Sequence, residues 1–191
     1  MTMPYVKELQ ERFLRYVAVS SESDANAGVV PSSEGQRDLA KLLQEELRAM
    51  GLVEIELNEH AILTARLPGN VDNAPTIGFV CHLDTVPVNL SPNVKAQVLH
   101  YEGGDACLNA AEDIWIRLSE HPELANYADQ DIVFTDGTSV LGADNKAAIA
   151  NVMTMLSIMT HENRPHGDIR VAFVPDEEIG LCGSKLSLIH I

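Results

Sequence analysis

Cysteine is scarce in this sequence, with Cys81, Cys107 and Cys182 the three in 191 residues. They are odd in number and none stands in a CxxC pair, so the pattern offers neither a disulfide framework nor a thiolate zinc site. Basic residues are also few, 13 Lys and Arg against 28 Asp and Glu, giving a formal net charge of −15. So acidic a chain repels phosphate backbones and anionic lipid, and neither nucleic acid nor a membrane is expected as a partner. The charge suits cation binding, although a solvated acidic surface accounts for most of it. No stretch reaches the ~18 apolar residues that a membrane span needs. Lys7, Glu8, Glu11, Arg12 and Arg15 interrupt the first apolar pattern, which leaves no secretory h-region and makes a reducing cytoplasm the expected setting. Internal repeats and low-complexity linkers are lacking too. What remains is an ordinary globular composition, 46% hydrophobic and 21% charged, long enough for one full core and short for two domains.

Within that composition, Ile77-Gly-Phe-Val-Cys-His-Leu-Asp-Thr-Val-Pro87 stands out as an apolar run that stops abruptly at His82 and Asp84. It predicts a short buried strand with a polar pair at its carboxyl end, where open α/β sheets bind ligands. Ile132-Val-Phe134 is a second such run, leading through the Gly-rich Asp136–Asp144 into a long apolar helix. Ile169–Val174 is a third, followed by Pro175-Asp-Glu-Glu-Ile-Gly180. Three strand ends thus deliver His82, Asp144 and the pair Glu177 and Glu178.

Val6, Leu9, Phe13, Leu14 and Val17 predict a first helix, and Leu39, Leu42, Leu43, Leu47 and Met50 a second. Ser33 and Gln36 fit a capping box at the start of the second, and Gly51 its end. Alternation from Leu52 to Leu67 predicts an edge hairpin. Asn109–Ser119 fits a short helix buried through Ile114, Trp115 and Leu118, and Ile149, Val152, Met153, Leu156 and Met159 a core-facing helix after Asp144. His60, His100 and His121 read as surface or structural residues. The alternation of helices and short strands predicts an α/β fold, a mostly parallel central sheet flanked by helices.

Imidazole and carboxylates without thiolates suit zinc, manganese or cobalt, with zinc the commonest occupant of mixed sites. Asp144, between a Gly-rich turn and a helix, can bridge two ions or serve as an ordinary N-cap. Neighbouring side chains diverge in a turn, so Glu177 and Glu178 can divide the work of ligand and general base, or form a solvated acidic turn. Asp84 can hold the second ring nitrogen of His82. Lys146 reads as a surface cation or as a neutraliser of the acidic cluster.

His82-Leu-Asp84-Thr-Val-Pro87, Gly142-Ala-Asp-Asn-Lys-Ala147 and Pro175-Asp-Glu-Glu178 resemble the metal-site motifs of the co-catalytic zinc aminopeptidase, carboxypeptidase and deacylase superfamily, of M20-like type. Within it, Val30-Pro-Ser-Ser-Glu-Gly-Gln36, Gly103-Gly-Asp105, Thr135-Asp-Gly-Thr138 and Pro165-His-Gly-Asp-Ile-Arg-Val-Ala-Phe173 are similar to the tripeptide aminopeptidases. The resemblance runs from the first helix to about Gly180. It implies a zinc-exopeptidase-like catalytic domain with two Zn2+ ions, His82 on one, Asp144 bridging and Glu178 on the other. It also implies that Asp84 orients His82 and that Glu177 moves a proton from a bridging water to the leaving amine. Small peptides, tripeptides above all, are the implied substrates. The family's pattern has an Asp where this chain has Asn145 and a Gly where it has Ala148. It also calls for a further carboxylate, a C-terminal histidine and a lid domain, which Lys185–Ile191 does not supply; His190 is a poor substitute. Residues 1–191 are therefore expected to be a truncated, N-terminal part of the catalytic domain, inactive by themselves. A related carboxypeptidase or amide deacylase, and a non-catalytic remnant, are the competing readings.

Overall fold

The structure, a computed structural model, describes residues 5–187; His190 lies outside them. The chain divides into two compact units, Met1–Pro87 with Gly142–Ile191, and Val88–Leu141.

In the first unit, α1 (Val6–Val17) and α2 (Glu34–Ala49) form where the apolar stripes predict them. Gly51, at φ +82°, follows α2 in the left-handed conformation that a helix end favours. The hairpin β1 (Val53–Leu57) and β2 (Leu63–Leu67) precedes β3 (Ile77–His82). After the second unit come α3 (Ala143–His161), β8 (Ile169–Val174) and α4 (Cys182–Ser187). Strand order is β1-β2-β8-β3. β3 and β8 are parallel, with Ile77 opposite Ile169 and His82 opposite Val174, whereas β1–β2 and β2–β8 are antiparallel. The sheet is thus mixed, one parallel pair among three, and not mostly parallel, because the returning arm of the hairpin inserts beside β8. Helix α2 packs on β1 and β2, and α3 on β3 and α1. Leu39, Leu43, Leu63, Ile149, Met153 and Phe173 close the core between them, all fully buried. Met153 is a core residue, Met159 packs partly buried against the same core, and Cys81 is buried as expected.

The second unit holds β4 (Ala96–Tyr101) paired antiparallel with β7 (Gln130–Thr135), the hairpin β5 (Ala106–Asn109) and β6 (Ile114–Ile116), and a 3-10 helix at Pro122–Tyr127. Two expectations fail here. Ile132–Phe134 lies in β7 of a two-stranded sheet, not in the central one; a three-residue apolar run cannot distinguish the two. Asn109–Ser119 is not helical. The Asn109 side chain accepts the Ala111 and Glu112 amides and Asp113 takes φ +54°, which is turn chemistry, and Trp115 is left partly exposed. His100 and His121 are exposed and pair with Asp131 and Glu123. The three cysteines are free, and among the described residues no helix is long and apolar enough to cross a membrane.

The seam between β2 and β8 carries an ion pair that makes a pH prediction. Arg66 donates to Asp168 at 2.6 and 3.0 Å, and the Gly69 amide adds a third bond at 3.0 Å. The arginine foremost, then that amide, hold the Asp168 carboxyl down to about 2. A depressed carboxylate stabilises the fold above its unfolded value of ~3.9 and loses that contribution as pH falls through the folded one. Asp168→Asn should therefore lower the melting temperature at pH 7 by a few degrees, with the difference closing between about pH 4 and 2. A gap that is constant across that range would show that the charge is not what matters.

Candidate metal centre

His82 ends β3, and Pro175–Glu178 leaves β8 directly alongside, because the two strands are parallel and in register. The chain after His82 is fixed on both sides. The Leu83 amide donates to the Val174 carbonyl at 2.8 Å, the Thr85 amide to the Ser21 carbonyl at 3.1 Å, and the Ser21 hydroxyl to the Leu83 carbonyl at 2.8 Å. Asp84 is fully buried between them.

Asp144 reaches the same place from the start of α3. Gly142, at φ +72°, occupies the N-cap position; a Cβ there would stand 2.8 Å from Thr85 Cγ2. Asp144 itself has non-helical backbone angles, and the hydrogen bond its carboxylate makes is to His82 rather than to an amide of α3. It is instead 83% exposed, with Oδ1 3.0 Å from His82 Nε2. The N-cap reading of Asp144 is thereby set aside. One donor atom each from His82, Asp144 and Glu178 lie within 4.8 Å of one another, and Glu177 Oε2 is 4.0 Å from His82 Nε2.

The electrostatics are those of a cation site. Burial opposes the charged form of His82, but hydrogen bonds to Asp84 and Asp144 and the nearby charges outweigh it and lift its pKa to about 9. The Glu178 carboxyl is raised, first by burial and then by Glu177, Asp144 and Asp84, with His82 pulling the other way. Carboxylates that crowd one another in this way gain from a shared positive ion. One imidazole and two carboxylates also fit zinc's ordinary donor set.

Asp84 does more than face His82. The His82 Nδ1 lies 3.0 Å from the Asp84 carbonyl and 3.4 Å from its Oδ1, while the two carboxylate oxygens accept the Glu177 amide at 2.9 Å and the Glu178 amide at 3.0 Å. Its carboxyl is lowered despite burial, through His82 and these two amides. Lys146 is neither a surface cation nor a partner of the acidic cluster. It is buried, donates to the Val19 carbonyl at 2.6 Å, and burial lowers its pKa to about 8.

Three residues at the back of the site escape sequence reasoning. Asp176, fully buried, accepts from the Ser32 amide at 2.8 Å, the Ser32 hydroxyl at 2.5 Å and Gln36 Nε2 at 2.7 Å, and its own amide donates to Gln36 Oε1 at 2.9 Å. Hydrogen bonds to charged groups contribute about 1.5–3 kcal/mol each, so the tie is strong. Ser33 does sit at the N-cap of α2, but its hydroxyl makes no cap bond, and Gln36 turns inward to Asp176. A usable signal existed: Gln36 is a polar residue on the buried stripe of Leu39, Leu43 and Leu47.

The chain is similar to known proteins along nearly its whole length. The signature of peptidase family M28 matches residues 63–188. A peptidase T-like protein of Yersinia pestis is 55% identical over 185 residues, covering 97% of this chain and 45% of its own length. The crystal structure of aminopeptidase PepT from Bacillus cereus superposes with a TM-score of 0.63 at 26% identity, over 94% of this chain and 39% of that one. A Staphylococcus aureus tripeptidase does so with 0.64 at 25%, over the same shares of 94% and 39%. The chain thus spans less than half the length of each of these three relatives.

Proposed function

Because the chain belongs to peptidase family M28, we propose that it is the N-terminal part of the catalytic domain of a zinc-dependent tripeptide aminopeptidase. The observation that carries this reading is the convergence of His82, Asp144 and Glu178 within 4.8 Å, with Glu177 beside them. The names borne by its relatives, peptidase T-like protein, aminopeptidase and tripeptidase, support the substrate class. The free cysteines suit a reducing cytoplasm. The remaining ligands and a substrate-clamping lid would come from the part of the relatives' length that residues 1–191 do not span.

In this reading His82, Asp144 and Glu178 would hold the zinc, of which the family resemblance implies two ions. Bound there, zinc would polarise the scissile carbonyl and make water nucleophilic at neutral pH. The protein's own residues do the rest. Asp84 keeps His82 in one orientation through Nδ1 and pins the amides of Glu177 and Glu178, so both glutamates leave the turn from a fixed backbone. Glu177, which is no part of the ligand triad, takes a proton from the attacking water and returns it to the leaving amine.

The test is a chimera in which this chain replaces the matching segment of the Yersinia relative. It should cleave the first bond of a tripeptide with a free amino terminus and leave the N-acetylated tripeptide intact. Preference for the acetylated substrate would favour a deacylase or carboxypeptidase instead, and no hydrolysis of either would favour a non-catalytic remnant.

A further inference from the structure

The tie between α2 and the glutamate turn has no place in the ligand set, yet it lies directly behind it. Every amide from residue 176 to 178 is accounted for: Asp176 donates to Gln36, and Glu177 and Glu178 donate to Asp84. Two buried carboxylates therefore hold the turn from two sides, Asp84 through the turn's amides and Asp176 through its own side chain. Asp176 also adopts φ +57°, a left-handed conformation that aspartate tolerates better than most residues. Its carbonyl accepts the Cys182 amide at 2.9 Å, which ties the turn to α4. On the other side, Ser32 and Gln36 are themselves fixed. A Cβ on Gly35 would fall 1.6 Å from the Ser20 carbonyl oxygen, so the first turn of α2 sits directly on the loop that also braces Leu83 and Thr85.

We infer that Ser32, Gln36 and Asp176 form a positioning cluster that sets the direction in which Glu177 and Glu178 leave the turn, and so governs metal affinity without touching the metal. This rests on the metal-site reading above. Partners beyond the ligands typically change metal affinity by roughly 10–100-fold, because a ligand displaced by a fraction of an ångström no longer matches its ion.

The arrangement permits a reciprocal exchange. Gln36 presents an amide to the Asp176 carboxylate; the double substitution Gln36→Glu with Asp176→Asn presents a carboxylate to an amide. The amide then placed at position 176 donates to the carboxylate at position 36 and to the Ser32 hydroxyl, while its oxygen still accepts the Ser32 amide. Either single substitution breaks that complementarity, Gln36→Glu by setting two carboxylates face to face, and Asp176→Asn by setting donor against donor, since the new NH2 must face either Gln36 Nε2 or the Ser32 amide.

The experiment is zinc titration of the 191-residue chain against a chromophoric chelator, with thermal melting alongside. Each single variant should bind zinc about 10–100-fold more weakly than the parent, and the double variant should return to within about threefold of it. Should Gln36→Glu not fold, Ser32→Ala removes the hydroxyl's bonds to Asp176, Gln36 and the Asp24 amide but leaves the Ser32 amide on Asp176, and should still weaken zinc binding in a folded chain. Single variants that melt earlier but bind zinc as the parent does would overturn the inference and leave a merely structural tie. A parent chain whose zinc binding is unchanged by His82→Ala would overturn the metal-site reading and this inference together.

Discussion

Glu177→Gln in the chimeric enzyme should reduce tripeptide turnover by about 10²–10⁴-fold while zinc content stays at the parent level. The substitution preserves shape and removes the carboxylate's charge together with its capacity to accept a proton. The Glu177 amide remains bonded to Asp84, so the turn holds. The side chain lies 4.0 Å from His82 Nε2 but is outside the triad of converging donor atoms. Loss in kcat with little change in KM is the expected pattern, since proton transfer occurs only on the way to the transition state. A variant that retains turnover within about threefold would remove Glu177 from the proton-transfer role.

Glu178→Gln should do the opposite to metal and something unexpected to stability. Glutamine keeps the volume but donates no charge, so zinc affinity should fall by on the order of 100-fold or more, beyond what an outer partner contributes. Without metal, the Glu178 carboxyl is raised by burial and by its acidic neighbours, so ionising it at neutral pH works against the folded state. The metal-free variant should therefore melt no earlier than the parent, and somewhat later. A glutamate that served the fold would show the reverse, with early melting and normal zinc binding.

The outline of the site was legible because each of its parts breaks a local rule. An apolar strand stops at His82, a Gly-rich turn ends at Asp144, and two adjacent glutamates follow a strand. The direction of the sheet was less legible. The β1–β2 hairpin is encoded in local alternation, but its pairing with β8, where Leu63 meets Phe173, joins segments far apart in the chain. The apolar run Ile132–Phe134 likewise carries no mark of the partner strand that places it in a separate unit. Local pattern reads Lys146 as a surface cation or a neutraliser of the acidic cluster and Gln36 as half of a capping box, whereas both are buried and satisfied by distant groups, the Val19 carbonyl and Asp176. Asp176 itself was hidden by its neighbours, since nothing in the string Asp-Glu-Glu says which carboxylate faces inward.

The central claim is that His82, Asp144 and Glu178 hold zinc. Anomalous diffraction at the zinc absorption edge, from crystals of the chimera grown with zinc, tests it most directly. A peak at about 2.0–2.2 Å from His82 Nε2, or from carboxylate oxygens of Asp144 and Glu178, is the predicted result. Density without an anomalous peak between these residues, or zinc bound only elsewhere on the chain, would contradict it.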